Sequence, residues 1–149
     1  MTRQESNQTE QSVVIYTDGA CSGNPGPAAA AATLQFGEKK LLVSQYLGVA
    51  TNNIAELTAV KIALESMKNR QVQIDLHSDS TYVIGLLTKG WKAKENKELV
   101  AELREIVSLF PALKFHKVKG HAGVDENELV DKLAREAVEN RKGVRLRLA

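Results

Sequence analysis

Apolar positions along the chain recur first at strand spacing and then alternately at strand and helix spacing. Val13 to Tyr16 is a β-branched and aromatic run ending at Asp18-Gly19. It predicts a strand followed by a tight loop, because Gly23-Asn24-Pro25-Gly26-Pro27 holds turn formers too densely for a regular element. Ala28 to Phe36 and Leu41 to Gly48 predict two more strands around the polar stretch Gly37 to Lys40, despite the weak strand preference of alanine. From Asn53, apolar residues at Leu57, Val60, Leu64 and Met67 predict a helix ending near Lys68. Val72 to His77 alternates as a strand does, and Ser78-Asp79 offers a cap to a helix carrying Tyr82, Val83, Leu86 and Leu87. Leu99, Leu103, Ile106, Val107 and Phe110 predict another helix stopped by Pro111, after which Lys114 to Val118 reads as a short last strand. Val130, Leu133, Ala134, Ala137 and Val138 fall on one stripe of a final helix that Gly143 ends.

This order implies an α/β fold with a five-stranded mixed sheet: a three-strand antiparallel meander, then parallel strands joined by crossovers, with helices on both faces. Sites in such sheets gather at strand ends. Residues 1–12 are almost wholly polar and are expected to form a flexible tail ahead of a domain spanning 13–140. Residues 141–149 form a basic tail in which Arg145 and Arg147 alternate with Val144, Leu146 and Leu148. That pattern leaves strand pairing, phosphate contact and disorder all open.

Composition narrows the class. At 149 residues the chain suits one domain, and 43% hydrophobic with 26% charged residues is ordinary for a water-soluble protein. No apolar run approaches the length of a membrane span, and the polar start does not read as a secretory signal, so a cytoplasmic monomer is expected. Cys21 is the only cysteine, which rules out an intramolecular disulfide. A net charge of +2 is too small to announce a polyanion partner, so the placement of the lysines matters more than their sum.

Four acids sit at predicted element boundaries: Asp18, Glu56, Asp79 and Asp131. Singly, each has a local explanation: Asp18 as a turn residue, Asp79 as an N-cap, Glu56 as partner of an Asn53 cap, Asp131 as a surface pair with Arg135. Together, adjacent strand ends would bring Asp18 and Asp79 close, with Asp131 at the margin of its helix's apolar stripe. Clustered carboxylates repel and raise one another's pKa unless cations occupy the site, and hard oxygen ligands favour Mg²⁺ or Mn²⁺. Two such ions about 3.5 to 4 Å apart suit in-line attack on a phosphodiester. His121, in Lys119-Gly120-His121-Ala122-Gly123, is either a proton carrier or an exposed loop histidine. The chain contains no Gly-x-Ser-x-Gly elbow, no phosphate loop ending in Gly-Lys-Ser or Gly-Lys-Thr, and no Cys/His metal cluster.

Four motifs resemble ribonuclease H type 1 in that family's order: Thr17-Asp18-Gly19-Ala20-Cys21-Ser22-Gly23-Asn24-Pro25-Gly26-Pro27, Thr51-Asn52-Asn53 leading to Glu56, Ser78-Asp79-Ser80, and Val118-Lys119-Gly120-His121-Ala122-Gly123. The resemblance runs from about Val13 to Glu139. It implies hydrolysis of the RNA strand of RNA/DNA hybrids, leaving 5′-phosphate and 3′-hydroxyl ends, with Mg²⁺ or Mn²⁺ as cofactor. By the same resemblance Asp18 bridges both metals, Asp131 lies on the nucleophile side, and Glu56 and Asp79 lie on the leaving-group side. His121 would assist proton transfer or product release, with Glu128 near the metal that leaves with product.

Hybrid recognition needs short polar groups and close backbone in the minor groove to meet the 2′-hydroxyl. The resemblance places Cys21, Asn24, Asn52, Asn53 and Thr81 on that groove, and Thr51 and Asn96 in a pocket for one DNA phosphate. Two departures stand out. Thr81 replaces a glutamine frequent in relatives, and the stretch from Tyr82 to Leu99 is too short for the extra helix and basic loop of some members. Lys89, Lys92, Lys94 and Lys97 around Trp91 are candidates to replace that handle. A DNA strand-transferase or resolvase shares the sheet and acids, but the Asn-Pro-Gly and His121 loops argue against it. A non-catalytic hybrid-binding module would lack one of the acids, and none is missing.

Overall fold

A computed structural model describes residues 12–119 and 125–148. The elements run β1 (Val13–Cys21), β2 (Gly26–Phe36), β3 (Lys39–Ala50), α1 (Asn52–Glu65), β4 (Ile74–Ser78), α2 (Thr81–Thr88), α3 (Lys97–Ser108), β5 (Leu113–Lys117), α4 (Asp125–Asn140) and β6 (Arg145–Leu148). They form one sheet in the order β5-β4-β1-β2-β3-β6. Strands β1, β2 and β3 are the antiparallel meander, and β4 and β5 join β1 in parallel. The expected mixed α/β architecture is therefore present.

Two boundaries differ from expectation. β1 does not stop at Tyr16 but continues through Asp18 to Cys21, because its pairing with β2 holds the register from Val14↔Gln35 to Cys21↔Ala28. Lys114 to Val118 is not the last strand: β6 follows, pairs antiparallel with β3 and makes the sheet six-stranded. Gly143 is the reason β6 can dock, since a Cβ there would lie 2.2 Å from the Ser44 carbonyl oxygen. The Ser44 N–H then donates to the Val144 carbonyl at 2.9 Å, and the Ser44 hydroxyl accepts from the Val144 N–H at 3.0 Å.

The main core lies between one sheet face and helices α1 to α3. It takes alternate strand residues, Ile15, Leu76 and Leu34 among them, together with Leu57, Val60 and Leu64 of α1. The opposite face of β1 and β2 receives α4, through Ala31 against Val130 and Ala134. This two-sided packing explains the alanine run of β2: Ala28 to Ala32 have no exposed surface, and helices pack on alternate members of the run from both sides. Burial and close approach outweigh the low strand preference of alanine here. No helix among the described residues is long and apolar enough to cross a membrane.

Candidate active site

Asp18 lies within β1, Glu56 in the second turn of α1, and Asp79 immediately beyond β4. Each offers a carboxylate oxygen, and the three oxygens lie within 4.8 Å of one another. The parallel register Thr17↔Ser78 puts the next residues, Asp18 and Asp79, side by side at the same end of neighbouring strands. Glu56 reaches them because Gly19 has no side chain: a Cβ there would sit 2.5 Å from the Glu56 nitrogen and 2.6 Å from the Ala55 carbonyl carbon. The Gly19 N–H donates to Asp18 Oδ1 at 2.9 Å and also to Glu56 Oε1. Asp131, on α4 from the other sheet face, lies near enough to Asp18 to help raise its pKa, while Arg135 Nε donates to Asp131 Oδ2 at 3.0 Å.

Asp18 and Glu56 are only 7% and 6% exposed, although both are carboxylates. Two unit charges about 4 Å apart repel by about 4 kcal/mol at the effective dielectric of a protein site, a large share of a domain's whole stability. The protons respond accordingly. The Asp18 pKa is pushed up to about 10, first by burial, then by the charge and hydrogen bond of Glu56, and further by Asp79 and Asp131. Glu56 is pushed up to about 7 by burial, with Asp79 and Asp131 adding to the rise and the hydrogen bonds from Asp18 and Gly19 opposing it. A site made of oxygen donors that resist ionisation in isolation is matched to divalent hard cations, which invert that penalty.

The local explanations of these acids fail for three of the four. Asp18 is inside a paired strand, so it is not a turn residue. The cap of α1 is Thr51, whose Oγ1 accepts from the Ile54 N–H at 3.2 Å, so Glu56 is not the partner of an Asn53 cap. Ser80 caps α2 by accepting from the Val83 N–H at 3.1 Å, so neither Ser78 nor Asp79 is that cap. Asp131 does make the expected pair with Arg135 while also meeting Asp18. Gly19 is the residue missed in the sequence, and the signal was misleading: Asp-Gly reads as a turn, whereas here it marks a close approach of helix to strand.

The expected substrate-contact residues spread outward from the acids. Cys21 ends β1 and donates through Sγ to the carbonyls of Gly23 and Ala50. Exposed Asn24 accepts through Oδ1 from the Asn52 N–H at 3.0 Å, which ties the Gly23 to Gly26 loop to the start of α1, where Asn53 is half-buried. Thr81 opens α2 and is exposed. Asn96 sits in the left-handed region at φ 57° and donates from Nδ2 to Tyr82 Oη at 3.2 Å. Glu128 is exposed on α4, one turn before Asp131. His121 lies outside the described residues.

Trp91, Lys92 and Lys94 are exposed on a segment with its own clamp. The Trp91 ring lies over Gly85, where a Cβ would come within 2.1 Å of ring carbon Cε3. From α3, the Arg104 guanidinium donates to the Leu86 carbonyl at 3.0 Å and to the Trp91 carbonyl at 2.5 Å. Lys89 Nζ lies 6.0 Å from the centre of the Trp91 ring, at the outer limit of a cation–π contact.

This acid trio, with Asp18 and Glu56 buried and Asp79 half-buried, sits in a topology that is matched by comparison with known proteins. The family model described as RNase H matches residues 10–139. The chain belongs to the RNase H family. Ribonuclease H of Prosthecochloris aestuarii is 39% identical, covering 87% of this chain and 97% of the relative, and that of Agrobacterium fabrum is 41% identical over 85% and 94%. RNase H1 of Halobacterium salinarum NRC-1 is similar at a TM-score of 0.73 and 33% identity, covering 87% of this chain and 98% of that one. LC11-RNase H1, solved in complex with an RNA/DNA hybrid, is similar at a TM-score of 0.75 and 29% identity, with the same coverage.

Proposed function

We propose that this chain cleaves the RNA strand of RNA/DNA hybrid duplexes at Asp18, Glu56, Asp79 and Asp131, using two Mg²⁺ ions, or Mn²⁺ in their place, and leaving 5′-phosphate and 3′-hydroxyl ends. The observation that carries the reading is the meeting of three carboxylates from distant parts of the chain within 4.8 Å, in a fold similar to a protein solved with a hybrid bound. When bound, the ions lower the pKa of the attacking water and neutralise charge on the leaving oxygen.

The chain's own residues provide the frame. Asp18, buried in a paired strand, would be a central metal ligand, and the Gly19 N–H orients both it and Glu56. Asp79 enters from β4, and Asp131 is steadied by Arg135 on the side of the incoming water. His121 would carry a proton from this site or help product leave, and Glu128 would be an accessory metal ligand. Asn24, Asn52 and Asn53, held together where the loop meets α1, face the 2′-hydroxyl that distinguishes RNA from DNA, joined by Cys21 and Thr81. Thr51 and Asn96 hold a DNA phosphate, while Trp91, Lys92 and Lys94 steady the duplex beyond it. All of these residues come from one chain, which fits action as a monomer.

The test is a gel assay on hybrid, duplex DNA, duplex RNA and single-stranded RNA, each with and without Mg²⁺. The expected outcome is cutting of the RNA in the hybrid alone, and only with metal. Equal cutting of duplex DNA would overturn the substrate assignment, and hybrid cutting in excess chelator would overturn the metal.

A further inference from the structure

At the end of the sheet away from the acids, a pocket of about 580 Å³ opens between β6, the β2–β3 turn and the C-terminal end of α1. Its volume falls in the range of ligand-binding clefts. Its floor is apolar, built from Val13, Phe36, Leu41, Met67 and Val72. Lys39, Lys40, Lys68, Arg145 and Arg147 surround that floor, and among the described residues no carboxylate lines it. Lys40 is occupied by Glu126 at 2.7 Å, and Arg145 reaches Ser66 Oγ at 3.4 Å, which leaves Lys39, Lys68 and Arg147 as the cations best placed for an incoming anion.

The third feature is the wall. β6 closes one side of the pocket and ends the sheet, and all four of its residues are exposed. Its only strand neighbour is β3, so among the described residues its outer edge is unpaired and can take one more strand. A second copy of β6 is a poor occupant: with matching faces in antiparallel pairing, Arg145 would stand opposite Arg147 of the other copy, and like charges directly opposite are unfavourable. The same register suits a strand in which acidic and apolar residues alternate. A small apolar acid would satisfy the floor and one or two cations but would leave the strand edge unused.

We propose that this pocket and the β6 edge form a docking site for an extended acidic peptide segment of a partner protein. The peptide's carboxylates meet Lys39, Lys68 and Arg147, an apolar side chain enters the floor beside Phe36 and Met67, and its backbone adds to β6. Val13 is about 16 Å along β1 from Asp18, and Lys68 about 18 Å along the helix direction from Glu56, so a docked peptide leaves the acid cluster open.

The probe is a fluorescein-labelled octapeptide, Glu-Leu-Asp-Val-Glu-Leu-Asp-Phe, titrated with the full chain and read by anisotropy. Saturable micromolar binding is expected, weakened at least tenfold by Lys68→Glu and by Arg147→Glu, and at least tenfold when the peptide's acids become Gln or its apolar residues become Ser. Lys68→Glu leaves β6 untouched, so its loss of binding cannot come from an unpaired strand, and hybrid cleavage should be unchanged in it. Absence of saturable binding, equal binding by the Lys68→Glu variant, or tighter competition by single-stranded DNA than by unlabelled peptide would each overturn the proposal.

Discussion

Around Asp18 the chain buries groups that repel one another, whereas between Lys89 and Lys97 it leaves four lysines, with Glu95 as the one acid among them, in open solvent. The acids are fixed by elements of the core: a central strand, the second turn of a helix packed on that core, and the end of an adjacent parallel strand. The lysines stand on a short connection held by one tryptophan, one glycine and one arginine. Like charges in solvent are screened within about 8 to 10 Å and cost little, while buried ones lose that screening. Charges that must define a position to fractions of an ångström are therefore placed where the fold can bear their repulsion, and charges that only attract a polyanion are left where they are nearly free of penalty.

The strongest test of this contrast is Asp18→Asn. Loss of this carboxylate should lower turnover by roughly three orders of magnitude, the equivalent of several kcal/mol of transition-state stabilisation. Single-turnover cleavage of a hybrid would measure it, and a rate within tenfold of the unaltered chain would remove Asp18 from the metal site. Gly85→Ala comes next, because its methyl must displace the Trp91 ring. A loss of about 1 to 3 kcal/mol of stability is expected from the overpacking. KM for hybrid should rise while kcat is kept, since the acids are elsewhere. An equal fall in kcat would mean that the two regions are not separable.

A smaller effect separates them by pH. Asp18 and Glu56 hold their protons more tightly folded than unfolded, where carboxyls titrate near 4. Such groups favour the folded state most at low pH, and this contribution is lost as pH rises through the folded pKa values, about 7 for Glu56 and about 10 for Asp18. In chelator, the melting temperature of Asp18→Asn should therefore exceed that of the unaltered chain by a margin that widens from pH 5.5 to pH 8.5, and Mg²⁺ should narrow it. A margin independent of pH would contradict the account of the buried acids. The mildest change is Lys92→Ala with Lys94→Ala, which should weaken hybrid binding severalfold and flatten its salt dependence by up to about two in logarithmic slope. An unchanged slope would leave both lysines as solvent-facing residues with no part in binding.

The element order as far as α4 was legible in the sequence because it rests on local signals, period-two and period-three-to-four apolar spacing, and so was the approach of Asp18 and Asp79 at adjacent strand ends. What local signals could not supply is pairing over distance. Asp18-Gly19 looks like a turn until β2 and β4 are known to lie on either side of it. Thr51 and Ser80, rather than Asn53 and Asp79, cap their helices, because capping preference is shared by several neighbouring polar residues and the first helical residue is set by packing. The alternation of Arg145 to Leu148 allowed a strand without requiring one, and the deciding feature, Gly143 seated on the Ser44 carbonyl, is a tertiary contact.

The central claim is that carboxylates from separate segments form one divalent-cation site, and calorimetric titration of Mn²⁺ into the substrate-free chain tests it most directly. The account predicts saturable binding at pH 7.5 that weakens at least tenfold in both Asp18→Asn and Asp79→Asn, two residues 61 positions apart in sequence and neighbours in the fold. Affinity unchanged in either variant would contradict it.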